Sequence, residues 1–243
     1  MSYVEADVQV GDVLVGRRNS DEWAAVKVLA VDRWPDERQT LHCMMYRPTA
    51  ERPTAATLGS LEVLAYHTPM SAQAFQNGWE VLCTCPVTPQ DLVGFHEYLK
   101  RLDFRRYLEV TGQDLDTVVA QANSHFAAGG VLNDQQRHQE AIAEYTSAVE
   151  LFPLFYEAID NRAFSHMNLG NFQSALDDFQ HSLRLFPEGE AANFSSGECL
   201  LRLGRLGEAE VIFQAGAVYS TDYRELHQKF LDLVRELRAE NGS

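Results

Sequence analysis

The side chains best suited to chemistry in this chain are its cysteines and histidines. Cys83 and Cys85 form a C-x-C pair. On an extended strand, residues two apart point to one face, so the two thiols would stand side by side. His42-Cys43 sits on a second predicted strand. Together these four residues could ligate a zinc ion through sulfur and imidazole nitrogen. The pattern is sparse, however, and buried free thiols are common core residues. No metal and no cofactor is expected, and Cys199, inside a predicted helix, reads as core. The eight histidines, His42, His67, His96, His125, His138, His166, His181 and His227, are scattered along the chain, with no H-E-x-x-H among them. No G-x-x-x-x-G-K-[ST] and no G-x-G-x-x-G is present to cradle a phosphate. Residues 1–87 offer no nucleophile, base and orienting group in a recognisable set, so no catalytic residue is assigned and a non-enzymatic role is expected.

The elements that would position these groups change character partway along the chain. Residues 1–87 read as a small β-domain. Short apolar runs at Val8–Gly16, Trp23–Arg33, Thr40–Tyr46, Leu61–His67 and Trp79–Val87 suggest about five strands. The turn residues Trp34-Pro35-Asp36-Glu37 make the second and third strands a hairpin. Five short strands in so little chain predict a small barrel or a curved antiparallel sheet. Residues 88–114 then read as connecting helices. Thr88-Pro89 supplies an N-cap and a first-turn proline, Leu92, Phe95, Leu99 and Leu102 keep helical spacing, and a second short helix runs from Phe104 to Val110. Residues 115–243 complete an α+β chain as an all-α array with a C-terminal capping helix.

The array shows itself as a period. Phe152-Pro153 and Phe186-Pro187 lie 34 residues apart. The same spacing relates Ala141, Ala175 and Ala209, then Tyr145, Phe179 and Phe213, then Gly129, Ala163 and Gly197. Such a period signals stacked helix pairs, because one pair alone cannot bury its apolar face. The small residues let paired helices approach closely, and a large side chain there would overpack the contact. Asp222 to Arg238 reads as a further amphipathic helix, with Tyr223, Leu226, Phe230, Leu233, Val234 and Leu237 as its apolar stripe. Acidic pairs such as Asp177-Asp178 read as solvated helix faces.

These residues resemble the tetratricopeptide repeat from about Leu115 to Leu237. The second repeat matches most fully, through Ala163, Leu169-Gly170, Ala175, Phe179 and Pro187. The first supplies Ala128-Gly129, Ala141, Tyr145, Ala148 and Pro153. The third supplies Gly197, Gly204, Ala209, Phe213 and Gly216, but has Thr221 where proline would fall. The resemblance implies three repeats and a concave groove lined by the first helix of each pair. Carried over by position, its partner-binding residues would be Asn123, Phe126, Gly130, Asn133, Glu157, Asp160, Asn161, Phe164, Met167, Phe194, Glu198 and Leu201. Phenylalanine anchors ringed by acids suit a binding surface. Two arrangements fit them: an open peptide groove, or a face covered by other parts of the chain. Members of the family that hold a chaperone's C-terminal carboxylate use Lys, Asn and Arg on these helices. The corresponding residues here are Phe126, Gly130, Asn161, Ala191 and Ser195; only Asn161 fits, so carboxylate capture is not expected.

Charge narrows the partner. The formal net charge is −15, and residues 116–243 carry −10 of it. Binding to nucleic-acid phosphates relies on Lys and Arg, so a nucleic-acid partner is not expected. No run of apolar residues is long enough to span a membrane. The acidic N-terminus lacks the form of a secretory leader, and four cysteines make no disulfide framework, so a cytoplasmic protein is expected. The leading expectation is a non-catalytic adaptor or scaffold that binds a protein or peptide partner. The charge also admits a stoichiometric inhibitor, an immunity protein that neutralises a basic toxin or nuclease. A β-domain enzyme or small-ligand binder with the repeats as a docking arm ranks last.

Overall fold

The computed structural model describes residues 8–36 and 38–241. The first seven residues, most of the stretch read for a leader, and Glu37 of the predicted turn lie outside the described residues. The chain divides into two compact units, Met1–Thr111 and Gly112–Ser243.

The first unit is a five-stranded antiparallel sheet: β1 (Asp12–Arg17), β2 (Trp23–Arg33), β3 (Gln39–Tyr46), β4 (Val63–Ser71) and β5 (Trp79–Thr84). The spatial order is β4-β3-β2-β1-β5, so the first four strands meander and the fifth returns to pair with the first. Of the two expected forms, the open sheet is the one found. Alternation along β2 and β3 feeds two cores. One gathers Leu14, Val26, Val28, Leu41, Cys43 and Phe75. The other gathers Leu29 and Met44 with Phe95 and Leu99 of α1 (Val93–Leu102). Both α1 and α2 (Phe104–Thr111), expected as connecting helices, fall within this unit.

Helix α1 starts later than Thr88-Pro89 suggested. Those residues form a turn instead, closed by Thr88 N–H donating to Asp91 Oδ2 at 2.7 Å and Asp91 N–H to the Thr88 carbonyl at 3.1 Å. The reason is Lys27. Its ammonium is almost buried and donates to Asp91 Oδ2 and to the Pro86 carbonyl, both at 2.8 Å, which fixes the chain ahead of the helix. A buried cation needs such partners.

A second polar chain threads the sheet. Asp32 takes both Arg106 guanidinium nitrogens, at 2.8 and 2.6 Å, and lies 2.9 Å from His42 Nε2. His42 Nδ1 in turn lies 2.8 Å from His67 Nε2. The Arg106 pair holds Asp32 below the usual carboxylate range, against the opposing effect of burial.

The second unit is helical: α3 (Leu115–Asp134), α4 (His138–Leu151), α5 (Tyr156–Asn168), α6 (Phe172–Leu185), α7 (Glu190–Arg202), α8 (Leu206–Tyr219) and α9 (Arg224–Asn241). The turns inside the three pairs are copies. Gln136, Gly170 and Gly204 stand 34 residues apart, and all three have positive φ, at 60°, 77° and 73°. The next amide in each turn, Arg137, Asn171 or Arg205, donates back to Leu132, His166 or Leu200, at 2.9 Å each time. This is the left-handed helix stop that glycine favours, and Gln136 adopts it without glycine's freedom.

Helix α9 packs on a face that only partly overlaps the expected stripe: Tyr223, Phe230 and Val234 turn inward as expected, but Leu226 and Leu233 do not. His227, Leu231 and Val234 are buried, while Leu226 and Leu233 are 43% and 41% exposed. A histidine at the centre of the contact hid the true stripe. A β-carbon added at Gly216 would lie 2.2 Å from the His227 ring, so that glycine makes room for it.

The histidine chain in the sheet makes a pH prediction. Burial, then neighbouring His42, lowers the His67 pKa from 6.5 to about 4. The unfolded chain therefore binds the proton first, and stability is lost as pH falls from about 6.5 to about 4. All three tryptophans, Trp23, Trp34 and Trp79, are in this unit, so their emission follows it alone. The tryptophan-detected unfolding midpoint should fall over that window, and less steeply in His67→Gln; equal slopes would contradict the assignment.

Candidate functional site

The candidate site is the face shared by the first helices of the three pairs, α3, α5 and α7. Close packing of each pair sets this face. A β-carbon on Gly129 would stand 2.6 Å from the Tyr145 ring, and one on Gly197 would stand 2.6 Å from the Phe213 ring. Ala163 and Phe179 hold the same places in the second pair, both at 0% exposure. The second helices thus press aromatic rings flat against the backs of the first.

The expected partner-binding residues do not share one environment. Asn123 and Glu157 are exposed. Phe126, Gly130, Phe164, Met167, Glu198 and Leu201 are half-buried. Phe126 leans on Tyr145 and Phe155, and Phe164 meets Phe179 edge-on at 5.0 Å. Asn133 is occupied: its Oδ1 lies 2.7 Å from His138 Nδ1 and 3.2 Å from the Ser165 hydroxyl. The Asn161 amide donates to the Glu157 carbonyl of its own helix at 2.8 Å. Phe194 is 6% exposed, and its ring packs against Phe213, Tyr223, His227 and Phe230. Helix α9 therefore covers it.

Asp160 is the residue with the most unusual surroundings. Its Oδ1 is buried and has no hydrogen-bond partner. Burial pushes its pKa up, Glu157 and Asp178 push the same way, and a hydrogen bond from Ser182 pulls against them. Asp160 lines a cleft of about 460 Å³ with Glu188 and Asp222, walled by Tyr156, Phe186 and Tyr223. No Lys or Arg lines it. Burial also raises the Glu198 pKa, opposed by Arg202.

The cleft exists because the third pair departs from the second. In the second, Tyr156 stacks on Phe186 at 4.7 Å. At the equivalent positions of the third stand Glu190 and Ser220. The Glu190 carboxylate accepts from the Ser220 hydroxyl at 2.7 Å and from the backbone amides of Thr221 and Asp222 at 2.8 Å each. Those bonds, the Thr221 amide foremost, hold its pKa down at about 2. Proline at 221 would remove one of the amides, which explains the break in the Pro153–Pro187 pattern. Sequence reasoning missed Tyr156, Phe186, Glu188, Asp222 and Tyr223 as site residues. The only available signal was the loss of an aromatic and a proline in the third repeat.

Two other groups weighed in the sequence have definite surroundings. Asp178 is not a solvated acid: Arg162 grips it with two nitrogens, at 2.8 and 2.7 Å, and also reaches Thr146 at 3.2 Å, linking α4, α5 and α6. The proposed zinc ligands are not brought together. His42 is engaged with Asp32 and His67, Cys43 is buried with its pKa pushed up to about 12, and Cys83 contacts Cys85. Among the described residues no group of three or more His, Cys, Asp or Glu could hold a metal ion.

Comparison with known proteins agrees with the periodicity. Residues 161–224 match the family model of the tetratricopeptide repeat. That stretch lies within the helical unit, whose three helix pairs carry the same 34-residue period. The chain is 29% identical over 118 residues to human DnaJ homolog subfamily C member 7, a match covering 49% of this chain and 22% of that protein. The chain thus spans about a fifth of that relative's length. Among solved structures the array is similar to the first repeat domain of Spaghetti (RPAP3) bound to an HSP90 peptide, at 21% identity and TM-score 0.46, covering 50% of this chain and 98% of that one. It is also similar to the Yersinia enterocolitica type III secretion chaperone SycD in complex with a peptide of the translocator YopD, at 14% identity and TM-score 0.45, covering 51% and 97%. Among the described residues no helix is long and apolar enough to cross a membrane.

Phe194 and Phe164 separate core from surface. Phe194→Ala should destabilise the helical unit by about 3–5 kcal/mol, the usual cost of emptying a packed aromatic site. Phe164→Ala, half-buried, should cost clearly less. Chemical denaturation followed by helical circular dichroism measures both, and equal losses would contradict the burial of Phe194 under α9.

Proposed function

We propose that this protein is a non-catalytic interaction module whose repeat array binds a basic segment of a protein partner. The observation that carries this reading is an acid-lined, aromatic-walled cleft around Asp160 with no Lys or Arg among its described lining residues. A half-buried carboxylate held only by a neutral hydroxyl is costly to keep charged, and an arriving Lys or Arg would stabilise it. Aromatic walls suit such a guest twice over, through contact with its aliphatic stem and through cation–π attraction. Phe164, Met167 and Leu201, half-buried on the same two helices α5 and α7, would supply apolar anchorage further along that face.

The acidic excess supports the same partner at longer range, since complementary fields speed association. It also supports a narrower form of the reading, in which the protein neutralises a basic toxin or nuclease one to one. Both forms place it in a reducing compartment such as the cytoplasm, in keeping with four free thiols.

The test uses the partner captured from native extract, with association and dissociation measured at two salt concentrations. The association rate should fall markedly as salt rises, and Asp160→Lys with Asp222→Lys should lower it further. Phe164→Ala should instead speed dissociation, weakening binding by roughly 1–3 kcal/mol. A salt-independent association rate, unaffected by the charge reversals, would overturn the basic partner. Loss of the partner's own catalytic activity at one equivalent would select the inhibitor form over the adaptor.

A further inference from the structure

Cys83 and Cys85 stand on the sheet's edge strand, β5 and the residue just past it, outside everything the repeat array explains. Their sulfurs lie 3.5 Å apart. Both are half-buried, within reach of a small solute, whereas Cys43 and Cys199 are at 0% exposure. The backbone around the pair is anchored: Cys85 N–H donates to the Gly11 carbonyl at 2.8 Å, and the Thr84 hydroxyl donates to Asp12 Oδ1 at 2.7 Å. Among the described residues no further strand pairs with β5 on its far side, so small adjustments there disturb no described ladder.

We propose that Cys83 and Cys85 form a redox-active dithiol that closes to an internal disulfide by exchange with a low-molecular-weight organic disulfide. Closure requires the sulfurs to approach from contact to a bond of about 2.05 Å, a movement that side-chain rotation on an edge strand can supply. In the first step one thiol loses its proton to solvent and its sulfur attacks the reagent. A mixed disulfide forms, the reagent's S–S bond breaks, and one small thiolate leaves and takes up a proton. In the second step the neighbouring sulfur, having lost its own proton, attacks the mixed disulfide and expels the second small thiolate. The protein dithiol is oxidised by two electrons and the reagent is reduced to two thiols. The 3.5 Å contact makes the second step intramolecular, so the mixed disulfide is short-lived. Burial and the Cys85 contact raise the Cys83 pKa, and nearby Lys27 opposes them. The first step is therefore slow at neutral pH and faster at higher pH.

The test treats the full chain with oxidised glutathione, quenches with acid, and reads intact mass and peptide maps. Wild type should lose two hydrogens, join Cys83 to Cys85 and retain no glutathione. Cys83→Ser and Cys85→Ser should each hold one glutathione on the remaining cysteine of the pair, with unchanged tryptophan emission showing that the sheet is intact. Wild type that stays fully reduced while single variants react, stable glutathione on wild type, or a bond involving Cys43, Cys199 or a second chain would each overturn the proposal.

Discussion

Contact between an aromatic ring and a residue without a side chain governs the helical half of this protein. Tyr145 over Gly129 and Phe213 over Gly197 leave no room for even a β-carbon. Each contact fixes how closely the helices of a pair lie, and so fixes which faces of α3, α5 and α7 remain outside. Substitution at either glycine would move a whole helix rather than one side chain, because the ring beneath is fully packed. The repeated left-handed turns at Gln136, Gly170 and Gly204 then return the chain at the same angle each time.

Repetition creates a scaffold, and the departures from it create the site. Where the second pair closes its end with a Tyr156–Phe186 stack, the third uses Glu190 bound to Ser220, Thr221 and Asp222. The substitution replaces a plug of rings by a hydrogen-bonded cap and leads the chain into α9. It leaves Tyr156 and Phe186 facing a cleft whose described lining contains no Lys or Arg. Helix α9 also decides the fate of Phe194, which it converts from a groove position into core. The array is capped by apolar contact and by Glu210 on α8, which pairs with Arg235 and Arg238.

Much of this could be read from the residues. The 34-residue spacing placed the ring positions Tyr145, Phe179 and Phe213 and their small partners, because identical packing demands identical residues. Four of the five strands kept nearly their expected starts, since alternation of Val, Ala and Leu is a local signal. What remained hidden is tertiary. Leu226 and Leu233 looked as apolar as Val234, and only Gly216 receiving His227 shows which side of α9 turns inward. Asp178 looked like any surface acid until Arg162, sixteen residues earlier, closed on it. The cleft around Asp160 draws on α5, the α6–α7 turn, the start of α7 and the α8–α9 turn, so no window of sequence contains it.

The sheet unit is organised by different means, with Lys27 and the Asp32–His42–His67 chain holding strands and helices through buried polar contacts. The central claim concerns the repeats. Amide hydrogen exchange of the full chain, with and without the captured partner, tests it most directly. Slowed exchange is expected on α5, the α6–α7 turn, the first turn of α7 and the α8–α9 turn, with the five strands unchanged. Protection centred on the sheet unit, or on the outer faces of α4, α6 and α8 alone, would contradict it.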